Sequence, residues 1–123
     1  MTNYHDIQFG NNAYGTLSQA YATTATSIVL TAGHGARFPT LAGNQYFFAT
    51  LLDTTNNLEI VKVTARATDT LTIVRAQEGT TARAFATNDR IELRVTSGGL
   101  TVLSDLDEIL PDLSLIHISE PTR

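Results

Sequence analysis

A histidine between two glycines, in Thr31-Ala-Gly-His-Gly-Ala36, and an acidic triplet, Asp105-Leu-Asp107-Glu108, come nearest to chemistry in this sequence. An imidazole serves proton transfer or metal binding when a second group converges on it. Gly33 and Gly35 instead mark a turn around His34, and Gly33-His-Gly35 lacks the third glycine and the following helix of a dinucleotide site. Asp105, Asp107 and Glu108 would suit a cation, but their spacing sets them on the solvent side of a helix, where carboxylates are ordinarily just hydrated. There is no His-x-x-x-His pair, no calcium-loop pattern and no Gly-x-Ser-x-Gly elbow. The expectation is a protein that is not an enzyme, with no catalytic residue, no metal site and no cofactor.

The most distinctive stretch is the loop Arg75-Ala-Gln-Glu-Gly-Thr-Thr-Ala-Arg-Ala-Phe85. Glu78-Gly79 suits a turn whose glycine takes a positive φ, and the hydroxyls of Thr80 and Thr81 are placed to bond nearby backbone. The expectation is a structural loop tied down by Arg75 or Arg83. A glycan-binding surface would offer aromatic platforms, yet tryptophan is absent, and Tyr46, Phe47 and Phe48 fall inside a presumed central strand.

The elements that must position these residues are written in the rest of the chain. Its 123 residues, 42% of them hydrophobic, suffice for one domain with one modest core. Eight basic against 12 acidic side chains give a net charge of -4, too little positive field to hold a nucleic acid. Without cysteine there are neither disulfides nor thiolate metal centres. No apolar run spans a bilayer and the start from Met1 to Asp6 has no signal-peptide pattern, so the expectation is a soluble chain made in the cytoplasm, with no membrane partner.

Threonine and the other β-branched and aromatic residues of the middle region favour strands. Ile91, Leu93 and Val95 alternate with Arg90, Glu92, Arg94 and Thr96, predicting a strand over 90–96 with one face on a core. A similar alternation marks Ser27 to Ala32, and Thr70 to Arg75 is a further strand, while 45–52 and 58–65 are apolar on both faces and read as central strands. Asp53-Thr-Thr-Asn-Asn57 and Ala67-Thr68-Asp69 are the turns between them. The prediction is an all-β fold: a small antiparallel β-sandwich or partly open barrel, with strands near 45–52, 58–66 and 70–75 as a meander to which 90–96 adds.

The ends differ from this body. Residues 1–19 read as an extended arm bearing Tyr4, Ile7 and Phe9, and residues 20–99 as the β domain, with seven basic against six acidic side chains. In 100–112, Leu100, Leu103, Leu106 and Leu110 recur at helical spacing opposite Asp105, Asp107 and Glu108, predicting an amphipathic helix that ends at Pro111. Its leucine stripe is a candidate oligomer interface. Leu113-Ser-Leu-Ile-His-Ile-Ser-Glu-Pro-Thr-Arg123 reads, residue for residue, as a translated transposase sequencing adapter. Residues 113–123 are accordingly set aside from the folding argument, and the natural reading frame is expected to continue differently after Asp112.

Phe38-Pro39, Tyr46-Phe-Phe-Ala-Thr-Leu51, Leu58-Glu-Ile-Val-Lys-Val-Thr-Ala-Arg66, Thr70-Leu-Thr-Ile-Val-Arg75, Gln77-Glu-Gly-Thr-Thr-Ala-Arg-Ala-Phe85 and Asp89-Arg-Ile-Glu-Leu-Arg-Val95 follow one another in this order. Together they resemble a small β domain of tailed-bacteriophage virion proteins, often placed at the N-terminal end of tail fibres, over about residues 8–104. The resemblance implies a structural role in the virion, commonly as a homotrimer joining a fibre to a protein of the tail or baseplate, and carries over no catalytic residue. Leu100, Leu103, Leu106 and Leu110 would then start a shared shaft, and the arm with Tyr4, Ile7 and Phe9 would lie across a neighbouring virion protein. The alternatives are a capsid decoration or neck protein and, further off, a glycan-binding module.

Overall fold

The computed structural model describes residues 7–11 and 13–99. Tyr4, the predicted 100–112 helix with Leu100, Leu103, Leu106 and Leu110, and residues 113–123 lie outside that range. The fold is all-β. Its strands are β1 (Tyr14–Thr16), β2 (Ser27–Val29), β3 (Phe47–Leu52), β4 (Leu58–Ala67), β5 (Thr70–Gln77) and β6 (Arg90–Glu92), with one 3-10 turn, His34–Arg37. They form a single antiparallel six-stranded sheet in the order β1-β6-β3-β4-β5-β2.

Strands β3, β4 and β5 are the predicted meander, joined by the two predicted turns. In the first, the Asp53 carboxylate accepts hydrogen bonds from the backbone N–H groups of Thr55 and Asn57, both at 2.9 Å, while Asn56 takes φ 67. Those bonds hold the Asp53 carboxyl below the usual carboxylate range, outweighing its desolvation.

The sheet curls until its outer strands meet at one end. The N–H of Ser18 donates to the Val29 carbonyl at 3.0 Å, the N–H of Thr31 donates to the Thr16 carbonyl at 2.9 Å, and Leu17 bridges Leu30. Each outer strand thus covers part of the other's unpaired edge, giving a partly open barrel in place of a two-sheet sandwich. Alternation sends Phe47, Ala49 and Leu51 of β3, Val61 and Val63 of β4, Leu71 and Ile73 of β5, and Ile91 of β6 into the interior. Leu17, Ile28, Leu30, Phe38 and Phe85 complete the core, with the Phe38 and Phe47 rings stacked 5.6 Å apart.

Two sequence expectations change here. The described part of the expected arm is built into the body: Ala13 and Leu17 are core residues, β1 pairs with β6, and Ile7 is 6% exposed. Three-residue β1, interrupted by Gly15, is too short to show alternation, which is why composition alone made it an arm. The strand expected over 90–96 forms its ladder only at Arg90–Glu92, and Val95, placed inward by the alternation, is 66% exposed. After Leu93, whose N–H donates to the Ala13 carbonyl, the chain leaves the sheet for a helical turn at 97–99.

Candidate functional site

The first notable site is an inward-facing ion pair at one end of the barrel. Glu59 shares the inner face of β4 with Val61 and Val63, and Arg75 shares that of β5 with Leu71 and Ile73. Between the pairs Ile60↔Gln77 and Lys62↔Val74, Arg75 and Ala76 oppose the single residue Val61. This is a β-bulge, with Ala76 at φ 54. The bulge turns the Arg75 guanidinium and the Ala76 N–H together onto Glu59.

Every polar atom of the pair is used. Arg75 Nε donates to Glu59 Oε2 at 2.8 Å and Arg75 Nη2 to Glu59 Oε1 at 2.7 Å, a bidentate pair, while the N–H groups of Ala76 and Arg83 supply the other bonds to the carboxylate at 2.9 and 2.8 Å. The remaining guanidinium hydrogens reach the carbonyls of Ala22, Ala25 and Arg83. One side chain therefore ties β5 to the segment after Tyr21 and to the far limb of the 75–85 loop. Glu59 is fully buried. Burial works to raise its carboxyl, but the bonds from Arg75, Ala76 and Arg83 prevail and hold it below the usual range. This is the structural loop that the sequence predicts, with Arg75 as its tie. Gly79 takes φ 81, and the Thr80 hydroxyl donates to the Gln77 carbonyl at 2.7 Å and accepts the Ile60 N–H at 3.0 Å.

The same loop controls where the chain leaves the body. Thr96 Oγ1 accepts the N–H of Gly99 at 3.0 Å, the bond of a helix N-cap. Glu78 Oε1, reaching from the loop, accepts the N–H of Gly98 at 2.6 Å. Two of the donors a helix start leaves unpaired are thus satisfied, one locally and one by a residue 20 positions earlier in the chain. Glu78→Ala should cost about 1 kcal/mol locally, seen as roughly fivefold faster hydrogen exchange at Gly98 with the barrel amides unchanged. Ile7 bridges Tyr46, its side chain lies against Gly99, and Phe9 reaches the same glycine. Ile7, expected to contact a neighbouring protein, therefore faces its own chain, whereas Phe9 is 41% exposed. An apolar residue beside an open sheet is drawn onto it first.

His34 is structural in this arrangement. Its Nδ1 accepts the Thr16 N–H at 3.1 Å, so the ring proton of this tautomer sits on Nε2 and the imidazole clamps the 3-10 turn to β1. The Asp69 carboxylate caps the same turn through the N–H groups of Gly35 at 2.8 Å and Gly33 at 3.2 Å. Among the described residues no helix is long and apolar enough to cross a membrane, and no group of three His, Cys, Asp or Glu is gathered as for a metal ion. No protein-family model matches the chain, and no curated protein sequence matches it either.

Proposed function

We propose that this chain is a structural protein of a bacteriophage virion, the particle-attachment domain at the N-terminal end of a tail fibre, working through contacts between subunits and not through catalysis. The observation that carries this reading is the ordered series of segments resembling the phage β domain. Those segments supply β3, β4, β5, β6 and the loop locked by Arg75, which together make up most of the barrel. A body whose buried Glu59–Arg75 pair is saturated by itself and by backbone is suited to bearing load at a joint. The exit at Gly98 and Gly99, held from the barrel by Glu78, gives a following shaft a defined starting direction.

In this reading the protein is made in the host cytoplasm and assembles into the virion. Leu100, Leu103, Leu106 and Leu110 of three copies form the start of the shaft, and a tail or baseplate protein receives the particle-facing side. The test is the mass of the complete natural protein in light scattering. A trimer is expected, with Leu103→Ala combined with Leu106→Ala yielding a monomer that retains the β spectrum of the barrel. An unchanged mass discards the shared shaft, and label on the capsid instead of the tail in immuno-electron microscopy discards the fibre.

A further inference from the structure

The turn before β3 and the outer face of β3 and β4 form an open groove of about 410 Å³, lined by Gly43, Asn44, Gln45, Tyr46, Lys62 and Thr64. Because Phe47, Val61 and Val63 point into the core, Phe48, Lys62 and Thr64 stand on the outside of the sheet. The Tyr46-Phe47-Phe48 run, expected to lie within a central strand, is split by that alternation: Phe47 is fully buried, while the Tyr46 and Phe48 rings meet edge to face, 5.6 Å apart at 80°. Lys62 pairs with Phe48 across the β3–β4 ladder, and its ammonium rests 4.5 Å from the centre of the Tyr46 ring. The wall of the groove is preformed. The Gln45 N–H donates to the Ala42 carbonyl at 3.1 Å, Gly43 takes φ 59, and Gln45 Oε1 accepts the Ala42 N–H at 2.9 Å, so the turn is closed twice. Behind it the Gln8 N–H holds the Tyr46 carbonyl at 2.8 Å.

The polar groups along this groove are positioned but unused. Among the described residues, Lys62 has no carboxylate or hydrogen-bond partner, the Asn44 amide and the Thr64 hydroxyl have none, and the Gln45 side chain uses only its oxygen. The body has no carboxylate to spare for Lys62, since Asp53, Glu59, Asp69, Glu78, Asp89 and Glu92 each already accept bonds elsewhere in the fold. We propose that the groove binds an acidic glycan, a saccharide chain bearing a carboxylate on one of its rings. The carboxylate pairs with Lys62, ring hydroxyls meet the amides of Asn44 and Gln45 and the hydroxyl of Thr64, and an apolar C–H face lies on the Tyr46–Phe48 aromatic pair. Competing classes fit less well. A polyphosphate calls for several cations or arginine forks, and the groove offers one ammonium. An extended acidic peptide draws its affinity from an open sheet edge, whereas β3 and β4 are each paired on both sides. A neutral glycan leaves Lys62 without its counter-charge. The site is independent of what the barrel is attached to.

An NMR titration of the full chain tests this. The probe is a tetrasaccharide of alternating glucuronate and neutral hexose, and the control is the same tetrasaccharide with its carboxyls reduced to alcohols. The expected result is saturable shifts of the amide signals of Asn44, Gln45, Lys62 and Thr64 with the acidic chain, and binding of the reduced chain weaker by about tenfold or more. Lys62→Met, which keeps the apolar stem, should lose about tenfold for the acidic chain and nothing for the reduced one, while the rest of the spectrum verifies that the barrel is intact. Thr64→Val should weaken both by about threefold. No shifts with the acidic chain, equal binding of the two chains, an oligoglutamate of equal charge shifting the same signals as tightly, or full affinity in Lys62→Met would each overturn the proposal.

Discussion

Arg75→Met, with Glu59 left in place, should destabilise the protein by about 3–5 kcal/mol, and Glu59→Leu combined with Arg75→Met should recover part of that loss. The asymmetry comes from burial. Glu59 is wholly enclosed and Arg75 nearly so, and each supplies what the other's desolvation removed. Without Arg75 the carboxylate keeps only the Ala76 and Arg83 N–H groups in an apolar surround. Removing both charges leaves no uncompensated ion, but the Ala22, Ala25 and Arg83 carbonyls lose the Arg75 donors and the Ala76 and Arg83 N–H groups lose their acceptor, so recovery is only partial.

The pH dependence distinguishes this from a simple packing defect. In the native protein the Glu59 carboxyl titrates below its unfolded value, so its stabilising contribution is present above the ordinary glutamate range and is lost as pH falls through the lowered folded value. In Arg75→Met the desolvation stays while the hydrogen bonds and charge of Arg75 are gone, so the same carboxyl titrates higher than in the native protein. Its penalty then sets in as pH rises through that raised value, and the variant gains on the native protein as the solution is acidified. Urea denaturation at neutral and mildly acid pH should show the gap narrowing with acid. A gap that stays constant would mean the pair is not the origin of the loss.

The barrel was largely legible in the residues, and the ion pair only in pieces. Period-two alternation and turn chemistry placed the three-strand meander, because those signals are local. What they lacked was phase. In Leu58-Glu-Ile-Val-Lys-Val both faces look apolar, so nothing nearby decides whether Glu59 points in or out. The clue lies in the neighbouring strand: Glu59 is in step with Val61 and Val63, Arg75 is in step with Leu71 and Ile73, and the turn at Ala67-Thr68-Asp69 brings these two charges to the same end. Opposite charges in phase with the buried positions of a hairpin mark an inward pair. The contributions of Leu17, Ile7 and Glu78 were illegible for another reason. Leu17 pairs with Leu30, Ile7 with Tyr46, and Glu78 with Gly98, contacts between distant parts of the chain that exist only once the sheet has curled.

The two glycines flanking His34 should respond very differently to alanine, though the sequence marks them alike. Gly35→Ala is expected to cost about 3 kcal/mol or more, lowering the melting temperature by roughly 10 °C or more. A Cβ on Gly35 would lie 2.0 Å from the Thr68 carbonyl oxygen and 2.7 Å from the Asp69 Cα, both backbone atoms of the β4–β5 turn. No side chain can swing aside to make room, so the 3-10 turn must move off that turn. Doing so breaks the bonds from the Gly33 and Gly35 N–H groups to Asp69 and disturbs the clamp between His34 and Thr16. Gly33 meets nothing within 4 Å, and its constraint is only its φ of 87. Gly33→Ala should therefore cost about 1–2 kcal/mol, the penalty of a left-handed alanine, with no loss of packing. The two variants compared by thermal unfolding separate steric closure from backbone conformation, and equal losses would mean that the close approach of the 3-10 turn to Thr68 does not hold in solution.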